Sequence, residues 1–158
     1  MLREPRERVS PRARPMWLVG CLGEALLTVA VVVAVALAWD SFPFRWVVVA
    51  AVAVLAAGYV VVVPQWRYLV HRWEVSDIAV YTQTGWWVRE RRIAPMSRIQ
   101  TVDYAEGVLS RLFGLATVTV TTASAAGALR IEGLDKELAQ RLVDELTLKA
   151  DAVEGDAT

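Results

Sequence analysis

Two apolar runs, residues 17–39 and 46–63, constrain this chain more than any other feature. The first is 23 residues long and the second 18, and the six residues Asp40-Ser-Phe-Pro-Phe-Arg45 join them. As helices they span roughly 34 Å and roughly 27 Å at about 1.5 Å of rise per residue, against a hydrocarbon core of about 30 Å. Helices in a soluble core usually keep one polar stripe, and residues 26–38 and 47–63 keep none. The pattern predicts a transmembrane α-hairpin with a soluble part on one side.

The apolar fraction of 56% lies above that of ordinary soluble domains, and the excess sits inside residues 17–63. With 158 residues, the polar chain that remains after the hairpin is long enough for one small core. Cys21 is the only cysteine, which excludes an internal disulfide and reads as a small apolar helix residue. The first run exceeds the 7–15 apolar residues of a signal peptide and has no small-residue cleavage site after it, so it is expected to be retained.

A net charge of zero hides a segregated pattern. Residues 1–16 carry Arg3, Arg6, Arg8, Arg12 and Arg14 against Glu4 and Glu7, and three prolines there predict a flexible basic arm. The connection at 40–45 is neutral, and Arg67 and Arg72 precede the next acid, Glu74. Positive charge thus flanks both free ends of the hairpin, which places both termini in the cytoplasm of a multi-pass membrane protein. Trp17, Trp39, Trp46 and Trp66 stand at the four span ends and read as membrane-interface anchors. Ala30, Ala34 and Ala38, with Ala53 and Ala57, form small-residue ridges that suit packing of the hairpin on itself; a docking face for another subunit stays open. Glu24, about two turns inside the first span, is expected to snorkel to the interface or meet an arginine of the arm.

After Pro64, read as a kink or helix end, the periodicity changes to alternation. Residues 68–75, 79–84, 86–94, 98–104, 115–122 and 128–132 read as strands, with turn signals at 76–77, 85, 95, 106–107 and 123–127. Residues 108–114 read as a loop with a helical turn that points Leu109, Leu112 and Phe113 at the core. Asp135 is the expected N-cap of a final helix whose stripe is Leu138, Leu142 and Leu146 with Ala139 and Val143 beside it. Residues 151–158, with three acids and little to bury, are expected to be a disordered acidic tail.

Ile93-Ala-Pro-Met-Ser-Arg-Ile-Gln100, Leu109-Ser-Arg-Leu-Phe-Gly-Leu-Ala116 and Thr117-Val-Thr-Val-Thr-Thr-Ala123, in that order after a two-span hairpin, resemble the bacterial membrane-flanked PH-like family of the YdbS type. The resemblance covers nearly all of residues 17–149 and departs in the arm and the tail. It implies a hairpin at 17–66 followed, over 67–150, by a mostly antiparallel β, PH-like split barrel closed by one C-terminal α-helix. It also implies an inner-membrane protein with a cytosolic domain, an adaptor role, and a larger PH-like relative as one partner. No catalytic residues come with it.

The residues argue against an enzyme. His71 is the only histidine, so neither a zinc site nor a Cys–His pair can be assembled with Cys21, and no phosphate-binding loop, nucleophile elbow or zinc-protease motif is present. His71 reads as an interfacial residue, and Asp103, Glu106, Asp144 and Glu145 read as solvated. No cofactor or metal is expected. Arg89, Arg91, Arg92 and Arg98 form a basic cluster opposed by Glu90 alone. In a strand Arg89 and Arg91 share one face and Arg92 takes the other. The cluster is a candidate contact for anionic headgroups of membrane lipids or for a partner protein, and it also reads as an edge strand kept soluble by charge. Nucleic acid is a poor partner for a domain with balanced charge and few stacking aromatics. Two functional expectations result: an adaptor presenting a cytosolic module to a membrane or envelope protein, or a sensor of anionic headgroups. Partner identity and homo-oligomerisation stay open.

Overall fold

The computed structural model describes residues 4–39, 41–85, 88–123 and 127–155. The expectations placed on Arg3, Asp40, Trp86, the turn at 124–126 and residues 156–158 lie outside them. The chain divides into two compact units, Arg14–Trp66 and residues 4–13 with Arg67 onward.

Helices α1 (Ala13–Ala38) and α2 (Arg45–Val70) form the hairpin, each long and apolar enough to cross a membrane. Most of their apolar side chains are exposed: Leu27 is 67% and Leu55 72% exposed, while Ala36 and Val63 are among the few that are buried. A soluble protein buries such residues, so the surface of this unit suits lipid tails and not water. Pro64 does not end α2, which continues to Val70. Proline removes a single N–H donor from the ladder, and the turns on either side keep theirs. The strand expected from residue 68 is therefore shortened to β2 (Arg72–Val75).

In the second unit the arm is not free. Its residues form β1 (Glu7–Arg8), which pairs antiparallel with β2 through Glu7↔Trp73 and Arg8↔Arg72. Ser10 N–H donates to Gly133 O at 2.8 Å, and Ser10 Oγ donates to the carboxylate of Asp135 at 2.9 Å. The physical reason is the open edge of β2, whose unpaired N–H and C=O groups accept a short strand flanked by Pro5 and Pro11. Strand β3 (Ala79–Thr84) and β4 (Glu90–Pro95) complete a sheet of order β1-β2-β3-β4. After a 3-10 turn at Met96–Arg98, β5 (Ile99–Ala105), β6 (Leu115–Thr122) and β7 (Leu129–Asp135) form a second antiparallel sheet, β5-β6-β7. Helix α3 (Val108–Leu112) connects β5 to β6, and α4 (Lys136–Gly155) closes the chain against β5, β6, β7 and the 3-10 turn. Two antiparallel sheets with one C-terminal helix fit the PH-like arrangement.

The core follows the alternation. Ala116, Val118 and Val120 of β6 are fully buried, while the threonines between them are half-buried. Strand β7 keeps its apolar face by a bulge: Ala116 pairs with Leu134 but Val118 with Ile131, so β7 carries one extra residue. Gly133, at φ +77°, supplies the left-handed backbone that this insertion uses. The extra residue returns Leu134 to the buried face with Leu129 and Ile131 and leaves Glu132 on the other. From α4, Ala139, Leu142 and Leu146 enter the core, and Leu138 and Val143 are half-buried.

Two expectations are corrected here. Leu112 and Leu109 do not face the core; they are 76% and 38% exposed, because the five residues of α3 make one turn and its β6-proximal neighbour Leu115 takes the buried place. The acidic tail is not disordered from Asp151, since α4 runs on to Gly155 through the helix formers Ala150, Ala152 and Glu154.

Candidate functional site

The four arginines of the basic segment do not form one surface. Arg91 and Arg92 project from opposite faces of β4, opposite Gln83 and Thr82 respectively. Arg91 Nε donates to Gln83 Oε1 at 2.9 Å, and its Nη2 pairs with Glu4 Oε1 at 2.8 Å, so this side chain fastens the arm to the sheet. Gln83 is itself buried, its Nε2 donating to Val70 O at 3.1 Å. Arg92 Nε donates to Glu90 Oε1 at 2.7 Å and its Nη1 to Ala128 O at 3.2 Å. Arg89 precedes β4 and Arg98 ends the 3-10 turn; both are exposed.

Arg92 belongs to a different constellation. A cleft of about 230 Å³ is lined by Arg67, His71, Thr82, Thr84, Glu90, Arg92, Ala128, Arg130 and Glu132. The strand period explains its inner wall. Thr82 lies between Trp73 and Arg92 in register, so His71, Trp73, Thr82, Thr84, Glu90 and Arg92 share the face that carries buried Val80 and Ala94 farther along. One face is thus apolar at one end and polar at the other. Arg130 and Glu132 reach the cleft from the side of β7 opposite its buried Leu129 and Ile131. Arg67 Nη2 pairs with Glu132 Oε2 at 3.2 Å, and Arg92 Nη2 pairs with Glu90 Oε1 at 2.7 Å.

His71 is buried where α2 gives way to β2. Its Nδ1–H donates to Arg67 O at 2.8 Å, which fixes the neutral tautomer with the proton on Nδ1. Burial, and then the Arg67 guanidinium, hold its pKa below the ordinary value of 6.5, against the opposing effects of that hydrogen bond and Glu132. The unfolded chain therefore takes up this proton first as the pH falls, and acidification favours unfolding. Stability of the full chain in lipid should be flat above pH 6.5 and decline below it, until the lowered native value is passed. His71→Phe should flatten that acid limb in thermal melts; an unchanged limb would mean that other groups carry it.

In the hairpin, Glu24 Oε2 accepts a hydrogen bond from Tyr59 Oη at 2.9 Å. Each lies fifteen residues from its end of the connection, counted from Trp39 and Phe44, so antiparallel packing brings them level. The carboxylate is bound by the second helix, a partner that the sequence reading did not foresee. Trp39, Trp46 and Trp66 are exposed, and the Arg45 guanidinium lies 5.8 Å from the Trp46 ring centroid. Trp17 is only 6% exposed and does not present its ring outward. Cys21 is a buried free thiol.

A family model of the bacterial PH domain matches residues 18–150, both apolar helices included. The chain belongs to the bacterial PH domain family. It is 32% identical to the UPF0699 transmembrane protein YdbS of Bacillus subtilis (strain 168), over 99% of each chain. No solved structure matches it.

Within this bacterial PH domain the two leucines of the Leu-x-x-Leu-Phe-Gly segment are exposed, while Phe113 is half-buried. Val108 is 83% and Leu112 76% exposed, one turn apart on α3, with Leu109 beside them. Arg111 in the same turn is also exposed. The α3 end is anchored by Glu106, which is not the solvated acid that its position implied. It pairs with Lys136 at 2.8 Å, lies 3.7 Å from Arg111 and accepts from Tyr104 Oη. Lys136 and Tyr104 hold its carboxyl below the ordinary carboxylate value. Among the described residues no three His, Cys, Asp or Glu side chains are placed to share a metal ion.

Proposed function

We propose that this protein is a non-enzymatic, membrane-anchored adaptor whose bacterial PH domain presents an interaction surface to a partner membrane or envelope protein. Both termini lie in the cytoplasm, by the arginines that flank the hairpin's free ends. The two exposed apolar helices and the likeness to the Bacillus subtilis transmembrane protein YdbS support the membrane anchor.

The observation that carries the adaptor reading is α3. Val108, Leu109 and Leu112 expose contiguous apolar surface on an ordered turn held by Glu106, Arg111 and Lys136. A packed apolar patch with a charged rim has the composition of a contact surface. The basic strand offers less to the lipid-sensing alternative as a single surface, since Arg91 and Arg92 leave opposite faces of β4 and Arg91 is engaged by Glu4 and Gln83.

A photocrosslinking amino acid at Leu112, in the full chain in its own membrane, should give a discrete protein adduct. The same probe at Thr119 in β6 should give none. Leu112→Asp should reduce partner recovery by about tenfold or more while changing stability by no more than about 0.5 kcal/mol, because the side chain is exposed. A second copy of the chain in the adduct would make the contact homo-oligomeric. Adducts to lipid alone would remove the adaptor reading.

A further inference from the structure

We propose that the cleft between β3, β4 and β7 binds a phosphodiester, the singly charged group that a glycerophospholipid headgroup or a soluble glycerophosphoester presents. Its cations come from three separate elements: Arg67 from the last turn of α2, Arg92 from β4 and Arg130 from β7. Against these three guanidinium groups stand two carboxylates, Glu90 and Glu132, and both are already paired, with Arg92 and Arg67 respectively. With His71 neutral, the cleft keeps one positive charge in excess, which one phosphodiester neutralises. The unmatched cation is Arg130, whose guanidinium has no partner among the described residues.

A second observation points the same way. Thr82 is only 4% exposed, it lines the cleft, and its hydroxyl has no hydrogen-bond partner among the described residues. Among the described residues the fully buried polar side-chain atom without a partner is Trp73 Nε1, whereas the Thr82 hydroxyl stays open to the cleft and is free to donate to an anion held there. Thr84 adds a second hydroxyl one residue pair along the same face. Guanidinium forks and hydroxyl donors together suit phosphate oxygens. A cation is disfavoured, because it would have to break both ion pairs beside three arginines.

The volume of about 230 Å³ is several times the roughly 30 Å³ of one water in the liquid, which leaves room for a phosphate and part of its ester arms. Arg67 directly follows Trp66 at the end of the second apolar run, so one wall of the cleft is a single residue along the chain from the span. This site is independent of the adaptor reading, which rests on α3.

The test uses the full chain in a phosphate-free maltoside micelle, titrated by calorimetry. The probes are glycerophosphoglycerol, a short-chain phosphatidylglycerol and inorganic phosphate. Saturable binding of the two diesters below about 10 mM is expected. Tighter binding of the short-chain lipid would identify a headgroup site, and equal binding a soluble-ester site. Arg130→Gln should weaken binding by about tenfold, and Thr82→Val by about three- to tenfold, with Thr82→Ser restoring it. Arg98→Gln, an exposed arginine outside the cleft, should change nothing. Absence of saturable diester binding, binding of inorganic phosphate alone, or binding unmoved by both Arg130→Gln and Thr82→Val would overturn the proposal. A loss on Thr82→Val that Thr82→Ser did not restore would count against it as well.

Discussion

Leu146→Ala should destabilise the PH domain by about 2–5 kcal/mol, the range for removing a buried leucine side chain from a packed core. Leu146 is fully buried on α4, on the same stripe as Ala139 and Leu142. That stripe is what closes the second sheet, since α4 packs on β5, β6, β7 and the 3-10 turn together. Leu146 is fully enclosed, so the truncation leaves a cavity that the packed surroundings fill only in part. In hydrogen exchange on the full chain in lipid, amides of β6 should lose about a hundredfold in protection for each 2.8 kcal/mol lost. Leu148→Ala is the control: Leu148 is 71% exposed two residues along the same helix, and its loss should be nearly silent. Equal effects at the two positions would mean that α4 does not pack on the sheet through this stripe.

Gly85→Ala should cost about 3 kcal/mol or more, with the damage confined to the β3–β4 end of the first sheet. Gly85 has φ +115°, a conformation that a residue with a Cβ rarely adopts. A Cβ built there would lie 1.8 Å from Val88 O, a backbone atom, so the clash cannot be relieved by a rotamer change. The connection must move instead, and it closes the ladder that ends at Thr84↔Glu90. Exchange of β3 and β4 amides should rise while β6 and β7 stay protected. Gly107→Ala makes the contrast, because Gly107 has φ −69° and its Cβ would meet nothing closer than Ser110 Oγ at 3.6 Å. If the two substitutions were equally mild, the backbone at Gly85 and Val88 would have to be far more yielding than their close approach implies.

The site is less legible in the chain than the fold. The opposite facing of Arg91 and Arg92 follows from the two-residue period of a strand, and the structure has it so. What each arginine meets does not follow, because Glu4 lies in the arm and Ala128 beyond β6. The cleft gathers residues from 67 to 132, and only Thr82 and Thr84, polar and in phase with buried Val80, gave a local sign that one strand end was not core. Leu112 misled because apolarity records what a side chain dislikes and not which surface it finds. Glu106 misled in the opposite sense: Lys136 lies thirty residues on.

The sequence by itself determined the two spans, the order of hairpin and domain, the strands at Ala79–Thr84 and Leu115–Thr122, and the buried stripe of α4. Run length, period and alternation are properties of neighbouring residues, and the backbone geometry of a helix or a strand converts them directly into burial. Only the tertiary structure decided that the arm becomes β1, that Glu24 meets Tyr59, that α3 turns its leucines outward and that Arg67, Arg92 and Arg130 converge. Those pairings depend on register between segments far apart in the chain, and a shift of one residue in any of them would send the same side chains elsewhere.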